Sequence, residues 1–537
     1  MPETPQVLLY DTLLRDGSQM EGIAFSLDDK VAIAHRLDAL GIHYVEGGFP
    51  GSNEKDKAFF DRMRERPLQH AKLVAFGGTR KIGASVNDDF NMQALIETGT
   101  PVVTLVGKAS SYQVRVALET TNEENLAMVR ESIEFMVGKG KETHFDAEHF
   151  FDGYHDDPEY SLQVLRTAHR AGAGYLVLCD TNGGSTPDQV VAAIEAVQEA
   201  VPGAQIGIHC HNDCELAVAN SLAAVGAGAT QVQGCVNGYG ERCGNANLST
   251  VIANLQLKQG IRVVSDEQLQ DLTNVSLFVA ELANMPLNGQ AAYVGQSAFA
   301  HKAGYHVAAI VKDEDTYQHI KPAAVGNGRR VLVSELSGQR NIAYKLQEQG
   351  LDFPLSKEET RALLDRVKTM ESKGYQYEGA EASFELLAHR IKPSYTAPFT
   401  LEDFLIVERK DGSGRTQEMV AEAMTKVCVD SVIYQTASEG SGPVHALDQS
   451  VRKGLREAYP HIDRVHLVDY KVRILDAGAG TESNVRVLIE STDGEHIWST
   501  VGSSADVIEA SWLALTDAFE YFLLKYPEWS AASDRTV

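Results

Sequence analysis

The feature that most constrains the fold of this sequence is an alternation of short apolar runs and helical patterns through its first 260 residues. Between the apolar runs lie stretches with apolar residues three and four positions apart, and several of them begin with an N-cap residue. Eight strand–helix units in about 260 residues predict a (β/α)8 barrel. A doubly wound open sheet is the alternative, but no G-x-G-x-x-G sequence follows the first apolar run. The predicted strands cover residues 7–11, 43–48, 72–77, 102–107, 142–147, 175–180, 205–211 and 230–237.

After the predicted barrel, the secondary-structure pattern of the sequence changes twice. Residues 266–392 have the pattern of helices joined by polar loops, with few strand signals. Residues 393–537 have strand and helix patterns in the order strands, helix, strands, helix, which is typical of an α+β domain. We therefore predict an α/β chain of three regions: a catalytic barrel over 1–265, a mostly helical linker over 266–392 and a C-terminal α+β domain over 393–537. No internal repeat is obvious in the sequence.

Composition and charge limit the classes of function. The chain is 43% hydrophobic and 23% charged, as in ordinary globular proteins, and its net charge of −26 disfavours nucleic acid or a membrane surface as a partner. No apolar stretch approaches the roughly 20 residues that span a membrane. The segment MPETPQVLLYDTLLRDG lacks the pattern of a signal peptide. The six cysteines form no C-x-x-C pair, and we expect reduced, buried thiols and a cytoplasmic location.

Two histidines mark the end of the seventh predicted strand. His209 and His211 are two residues apart, so both project to one face of a strand. In a barrel, active residues lie at the carboxyl ends of the strands, and two imidazoles there make half of a divalent-metal site. A histidine pair held by hydrogen bonds in a loop is the alternative. A carboxylate after the first strand, Asp11 or Asp16, can complete a three-ligand site that polarises a substrate carbonyl.

Further polar residues follow other predicted strands. Arg15 can neutralise an enolate or a carboxylate by a bidentate bond, although a surface Arg–Asp pair is the alternative. Asp146 and Glu148 share one face of the fifth strand, and Glu148 can act as an acid or base or hold Arg15 in place. Thr181 follows the sixth predicted strand, and Glu46 lies in the second. Each residue alone is more often structural, but their coincidence at strand ends indicates an active site.

A glycine-rich loop, N-G-Y-G-E-R-C-G-N-A-N, follows the eighth strand. Glycines at 238, 240 and 244 allow the backbone to approach a ligand, and successive N–H groups can bind an anion. Asn245 can add an oxygen ligand to a metal. A tight turn without a ligand is the alternative interpretation.

These motifs resemble those of the condensing enzymes that join an acyl-CoA to a 2-oxo acid: the isopropylmalate, citramalate and homocitrate synthases. The C-terminal segments E-G-S-G-P-V-H-A-L, V-D-Y-K-V and A-D-V-I-E-A-S-W-L-A-L are similar to the allosteric domain of these synthases, so the resemblance covers nearly the whole chain. The barrel and linker motifs that carry it are L-Y-D-T-L-L-R-D-G-S-Q, V-E-G-G-F-P, C-D-T-N-G-G, H-C-H-N-D, N-G-Y-G-E-R-C-G-N-A-N and A-F-A-H-K-A-G-Y-H.

The resemblance implies a divalent metal (manganese, magnesium or zinc) held by Asp16, His209 and His211, with Asn245 near or on it. It also implies residues that contact CoA in the glycine-rich loop, namely Gly238, Gly240, Glu241 and Arg242.

The resemblance further implies roles in catalysis. Arg15 stabilises the enolate, and Glu148 contacts this arginine and shares in acid–base work. Thr181 lies near the carboxylate of the 2-oxo acid, and Asp146 lines the substrate pocket. From the linker, His306 and its companion Tyr317 act in the site of the partner subunit.

The implied activity is that of an acyltransferase that converts the acyl group into an alkyl group on transfer. Acetyl-CoA, the co-substrate, is condensed with a 2-oxo acid, and the thioester is then hydrolysed. The opening segment and F-G-G-T-R-K are most similar to the long citramalate synthases, which use pyruvate, form (R)-citramalate and serve isoleucine biosynthesis. Asp146 and His149 depart from common family residues, Tyr and Asp. Isopropylmalate and homocitrate synthases are the alternatives, because one methylene changes discrimination by only about 1–3 kcal/mol.

Two other classes fit the sequence less well. A lyase of the hydroxymethylglutaryl-CoA type usually has G-G-C-P after the eighth strand, whereas this chain has G-Y-G-E-R-C-G-N. A non-catalytic amino-acid sensor has no need of a complete metal site. The resemblance also implies a homodimer that isoleucine inhibits through the C-terminal domain.

Overall fold

The computed structural model describes residues 7–526 except 302, 311, 329, 332–354, 411–418 and 476–482. The chain forms two compact units. The first comprises Met1–Phe299 and Gln318–Arg329, and the second comprises Ala300–Tyr317 and Arg330–Val537. The predicted region boundaries after residues 265 and 392 stay a prediction.

The first unit contains a closed barrel of eight parallel strands in sequential order, which confirms the predicted (β/α)8 fold. The eighth predicted strand is longer than the real one, because the chain leaves the barrel at Gly234 and enters a 3₁₀ turn at Val236–Gly238. The strands are β1 (Leu8–Asp11), β2 (Tyr44–Gly48), β3 (Lys72–Gly78), β4 (Val102–Lys108), β5 (Glu142–Glu148), β6 (Tyr175–Asp180), β7 (Ile206–Cys210) and β8 (Gln231–Gly234).

The barrel helices begin at polar caps, as the sequence predicts. Ser26 and Asp29 form a reciprocal capping box at the start of the first helix, and Gly41, in the left-handed region at φ 93°, ends it. The helices of the first unit are α1 (Leu27–Leu40), α2 (Glu54–Glu65), α3 (Phe90–Glu97), α4 (Ser111–Val116), α5 (Asn122–Gly138), α6 (Phe150–Asp156), α7 (Pro158–Arg170), α8 (Pro187–Ala200), α9 (Ala217–Gly226), α10 (Leu248–Leu257), α11 (Asp266–Gln270) and α12 (Leu272–Leu282).

The inside of the barrel is polar, whereas the shell between strands and helices is apolar. Tyr10 lies inside the barrel and donates from its hydroxyl to Glu46 Oε2 at 2.6 Å. Gln233 pairs in register with Tyr10 on one side and with His209 on the other. Tyr10, Gln233 and His209 therefore lie side by side inside the barrel, near the carboxyl ends of their strands.

The second unit begins with a short parallel pair, β9 (Ala300–His301) and β10 (Arg330–Val331), which the sequence pattern did not predict. The remaining described elements of residues 300–392 are helical, in agreement with the expected linker. They are α13 (Gly304–Ile310), α14 (Lys357–Ser372) and α15 (Glu381–Arg390), with 3₁₀ turns between them.

The C-terminal part of the second unit contains the same motif twice. Three antiparallel strands followed by a helix occur as β11 (Thr400–Lys410), β12 (Met419–Val429), β13 (Val432–Gly440) and α16 (Pro443–Leu455). They occur again as β14 (His466–Ile474), β15 (Val485–Thr492), β16 (Ile497–Ser504) and α17 (Val507–Lys525). Each motif has a bulge at the same place in its first strand, Leu401/Asp403 and Leu467/Asp469. The α+β prediction is confirmed, and the structure adds a repeat that is not obvious in the sequence.

The six cysteines are free, and Cys179, Cys210 and Cys235 are buried as expected. Cys428 is partly buried, whereas Cys214 and Cys243 are exposed, so the prediction of buried thiols is wrong for these last two. They lie in the loops after β7 and β8, beyond the apolar strands that suggested burial. Among the described residues, no helix is both long enough and apolar enough to cross a membrane.

Candidate active site

Three buried residues at the carboxyl ends of β1 and β7 form a metal-type cluster. Asp16, His209 and His211 each offer one ligand atom, and these atoms lie within 4.8 Å of one another. Asp16 Oδ2 is 3.5 Å from His209 Nε2 and 4.0 Å from His211 Nε2. The structure thus brings together the three residues that the sequence marked as ligands.

Asp11, the other candidate carboxylate after the first strand, shapes the loop instead. Its Oδ1 accepts from the Leu13 N–H at 2.8 Å, and its Oδ2 accepts from the Val236 N–H at 3.0 Å. Burial raises the pKa of Asp11 to about 7, while the two backbone hydrogen bonds lower it. Asp11 therefore ties the loop after β1 to the one after β8, and Asp16 supplies the carboxylate of the cluster.

Two buried polar atoms beside the cluster show that the site fits a cation. Within the described part of the chain, His211 Nδ1 and Asn245 Oδ1 are buried without a hydrogen-bond partner. Asn245 pairs with His211 in a short antiparallel bridge, and its Nδ2 donates to Tyr239 O at 3.0 Å. A buried polar atom without a partner costs about 1–3 kcal/mol, so a ligand at this place is expected. A carboxylate, two imidazoles and an amide oxygen are suitable donors for a divalent ion.

The charges of the cluster favour cation binding. Burial alone raises the pKa of Asp16, but the positive charge of Arg15 holds it well below the usual range. Burial, followed by the nearby His209, lowers the pKa of His211 to about 4. At neutral pH, Asp16 is therefore a carboxylate and His211 is neutral, which are the forms that bind a metal.

Arg15 is fixed next to the cluster. Its Nε donates to Glu46 Oε1 at 2.5 Å, and its Nη1 is 3.3 Å from Asp16 Oδ2. Its guanidinium lies over the ring of Phe76, 3.8 Å from the centroid, where a cation is attracted by the ring. The expected contact between Arg15 and Glu148 is replaced, because Glu148 pairs with Lys108 and Glu46 takes its place beside Arg15.

A cavity of about 810 Å³ opens over the cluster. Asp146 lies inside it, and burial raises the pKa of this carboxyl to about 7. Thr181 Oγ1 accepts from the His149 N–H at 2.8 Å, which fixes the hydroxyl at the cavity wall. The predicted site residues that line the cavity are Arg15, Asp16, Asp146, Glu148, Thr181, His209, His211, Glu241 and Arg242.

The glycine-rich loop is held by its own packing. A Cβ at Gly240, where φ is 150°, would lie 2.2 Å from Asn245 Nδ2, so only glycine leaves room for this amide. Arg242 forms a bidentate pair with Asp213 at 2.8 and 3.0 Å and donates to Thr181 O at 2.8 Å. Neither Gly238 nor Gly240 is among the described residues that line the cavity. The part of Gly238, Gly240, Glu241 and Arg242 in binding CoA stays a prediction.

His306 and Tyr317 belong to the second unit, where the structure brings them together. Their rings stack 4.2 Å apart at an angle of 27°. Both side chains are exposed, Tyr317 to 40%. The catalytic role of the pair stays a prediction.

Models of known protein families match nearly the whole chain. Residues 6–279 match the HMGL-like family model, 293–375 the homocitrate synthase post-HMGL domain-like model, and 378–523 the LeuA allosteric (dimerisation) domain. The chain is 50% identical to an (R)-citramalate synthase of Aquifex aeolicus, over 97% of this chain and 99% of the relative. It is 48% identical to an (R)-citramalate synthase of Geobacter sulfurreducens, over 97% and 98% of the two chains.

The chain belongs to the (R)-citramalate synthase family. A probable 2-isopropylmalate synthase of Methanopyrus kandleri is 30% identical over 95% of this chain and 97% of the relative. As a member of the citramalate synthase family, the chain is an acyl-transferring condensing enzyme. The resemblance inferred from the motifs is confirmed.

The sequence did not predict the contacts of two polar residues inside this barrel. Glu46, a candidate without an assigned partner, lies in β2, and the structure shows that it holds Arg15. Gln233 was not singled out, although it contacts His209. The signal for Gln233 is the alternation of polar and apolar residues in Q-V-Q-G, which places two amides inside the barrel.

Proposed function

We propose that this chain condenses acetyl-CoA with pyruvate and hydrolyses the thioester, which yields (R)-citramalate and CoA for isoleucine biosynthesis. The observation that carries the proposal is the buried Asp16–His209–His211 cluster with Arg15 beside it, at the base of the cavity. The names of the closely similar relatives support the product.

The cluster is proposed to hold manganese, magnesium or zinc through Asp16, His209 and His211, with Asn245 Oδ1 as a further donor. When bound, the metal supplies Lewis-acid polarisation of the carbonyl of the 2-oxo acid. Asp16 and the two imidazoles are already oriented, since all three are buried and their ligand atoms converge. Little reorganisation is then needed when the substrate enters.

Arg15 is proposed to stabilise the oxygen on which negative charge develops. Glu46 and Phe76 hold its guanidinium in one place, and burial keeps water from screening it. Asp146 and Thr181 are proposed to position pyruvate, since both line the cavity. Condensation joins the methyl carbon of acetyl-CoA to the carbonyl carbon after a proton is lost to a base. Water then attacks the thioester, and CoA leaves with a proton.

Glu148 and the His306–Tyr317 pair are the acid–base groups that we propose. Glu148 lines the cavity and is paired with Lys108, which holds it in place. His306 and Tyr317 are proposed to reach the active site of the partner subunit. The match to the LeuA allosteric (dimerisation) domain supports a dimer with a regulatory domain. Isoleucine is the proposed inhibitor, and the cytoplasm is the proposed location.

The test is release of CoA from acetyl-CoA with pyruvate, 2-oxoisovalerate or 2-oxoglutarate, each with and without a divalent metal. A protein-only blank is required, because exposed Cys214 and Cys243 react with thiol reagents. Metal-dependent release with pyruvate alone supports the proposal. Preference for 2-oxoisovalerate or 2-oxoglutarate would make the chain an isopropylmalate or homocitrate synthase and overturn the assigned substrate.

A further inference from the structure

His209 has a second partner on the side away from Asp16. Its Nδ1 donates to Gln233 Oε1 at 2.9 Å, while its Nε2 lies 3.5 Å from Asp16 Oδ2. Gln233 is completely buried and pairs with His209 in register across β7 and β8. A neutral imidazole, the form that binds a metal, that donates from Nδ1 carries its free lone pair on Nε2, the atom that faces the cluster. The hydrogen bond to Gln233 therefore sets the tautomer of His209.

The orientation of the Gln233 amide is fixed by two acceptors. Gln233 Nε2 donates to Asp146 Oδ1 at 3.1 Å and, more weakly, to Gln231 Oε1 at 3.4 Å. Because both acceptors are on the amide nitrogen side, the amide oxygen must face His209. Asp146 thus acts on His209 through Gln233, although it also lines the cavity.

Gln231 is oriented from the other end of the barrel. Its Nε2 contacts His144 Nδ1 at 3.4 Å, and His144 Nε2 lies 3.1 Å from Glu142 Oε1. A carboxylate can only accept, so His144 carries its proton on Nε2 and accepts from Gln231 on Nδ1. The bonds from Glu142 through His144, Gln231 and Gln233 to His209 then all have one consistent direction.

We propose that Gln233 is a positioning residue for metal binding, which holds His209 in the tautomer with a free Nε2 and is itself oriented by Asp146. The inference rests on the proposed function in one respect, the metal at Asp16, His209 and His211. A second hydrogen bond of this kind orients the ring and raises its basicity, and its loss typically lowers metal affinity by about 10–100-fold.

The decisive variant is Gln233→Met, which keeps the length of the side chain and removes its hydrogen bonds to His209, Asp146 and Gln231. Gln231→Met is the matched control, because it has the same residue type, strand and complete burial but contacts no metal ligand. Both variants should lose similar thermal stability. We expect Gln233→Met to weaken binding of Mn²⁺ to the substrate-free protein by about 10–100-fold. Gln231→Met should weaken it by less than about threefold, because Asp146 still orients Gln233.

A double variant separates the effect of hydrogen-bond direction at residue 233 from the effect of side-chain packing. In Asp146→Asn with Gln233→Glu, the new amide donates to the new carboxylate, and the carboxylate still accepts from His209 Nδ1. This pair should bind Mn²⁺ at least tenfold more tightly than Gln233→Met, whereas Gln233→Glu alone should bind more weakly than the pair because two carboxylates then face each other.

The binding measurement is calorimetric titration of the full chain with Mn²⁺, with thermal unfolding of each variant as the check on folding. Equal Mn²⁺ affinity of the parent and folded Gln233→Met would overturn the positioning role and leave the proposed function standing. If the parent itself fails to bind Mn²⁺, the metal site of the proposed function fails, and the inference fails with it. Failure of the double variant to recover affinity would overturn the role of Asp146.

Discussion

Arg15 and Glu46 form a buried ion pair inside the barrel, with 2.5 Å between Arg15 Nε and Glu46 Oε1. Glu46 is completely buried, and its other oxygen accepts from the Tyr10 hydroxyl at 2.6 Å. The guanidinium beside the metal-type cluster is thus held from the strand next to its own. The ion pair therefore fixes the position of the Arg15 guanidinium in the cavity.

Glu46→Gln should lower turnover more than it lowers substrate binding. The amide keeps the shape but loses the charge that holds Arg15, and a hydrogen bond to a charged group is worth about 1.5–3 kcal/mol. We expect kcat to fall by about 10–100-fold, in proportion to that energy. Steady-state kinetics with pyruvate as the varied substrate measure the effect.

Asp38→Asn is the control for this variant. Asp38 is buried near the opposite end of the barrel, where it accepts from the Gln69, His70 and Ala71 N–H groups. Its loss should reduce stability and leave kcat close to that of the parent. Equal kcat losses in the two variants would show that Glu46 acts only through stability.

The contribution of His211 to the stability of the metal-free protein should decrease as the pH falls from about 6.5 towards 4. His211 has an ordinary pKa of 6.5 when unfolded and about 4 when folded, so the unfolded chain binds more protons in this window. The effect is on the order of 3 kcal/mol. It is fully retained above the unfolded pKa, because His211 is then neutral in both states.

Denaturant unfolding at several pH values with a chelator present measures this dependence. His211→Asn removes this titrating group, so on lowering the pH from 6.5 to 4 the variant should lose less stability, or gain more, than the parent. The raised pKa values of Asp11 and Asp146 act in the opposite direction in both proteins and cancel in the comparison. The same slope in both proteins would contradict the assignment to His211.

A divalent metal should stabilise the protein thermally. A ligand that binds only the folded state adds about 2.7 kcal/mol at 100 times its dissociation constant. Asp16→Asn should abolish the upward shift of the melting temperature, since it removes the carboxylate of the cluster. Asp152→Asn, which changes a half-exposed carboxylate bonded to His149 and Asn182, should retain it. A metal-induced shift that persists in Asp16→Asn would place the metal elsewhere.

Gly240→Ala should damage the metal site by displacing Asn245. The added methyl would lie 2.2 Å from Asn245 Nδ2, at a φ of 150° that side chains rarely adopt, and strain of this kind costs about 1–3 kcal/mol. Thermal unfolding and metal titration both report the change. Gly184→Ala, in the loop after β6 with no atom within 4 Å of the added methyl, should change stability by no more than about 0.5 kcal/mol. Comparable losses in both variants would show that general loop strain is responsible.

The sequence was sufficient for the parts of the site that depend on strand periodicity. His209 and His211 share a face because they are two apart, and Asp16 follows the first strand, so their meeting at one end of a barrel could be expected. The partners of Arg15 and His209 could not be predicted in this way. They depend on the register between strands and on side-chain reach across the barrel interior, which places Glu46 and Gln233 rather than Glu148 at these contacts.

The C-terminal repeat was also hidden from the sequence. Its two copies share a bulge and a strand order, but only a few side chains match, such as the leucine and aspartate of L-E-D-F and L-V-D-Y. The fold repeats because alternating burial is enough to define each strand, and many different residues satisfy that pattern. The exposure of Cys214 and Cys243 could not be predicted either. The apolar pattern of a strand does not show at which residue the following loop becomes exposed to solvent.

The most direct test of the account is identification of the product from [2-¹³C]pyruvate, acetyl-CoA and Mn²⁺ by NMR and chiral chromatography. The proposed function predicts one labelled product, (R)-citramalate, that forms only with metal and is lost in Asp16→Asn. Formation of citramalate at the parent rate by metal-free protein, or no labelled condensation product with pyruvate, would contradict it.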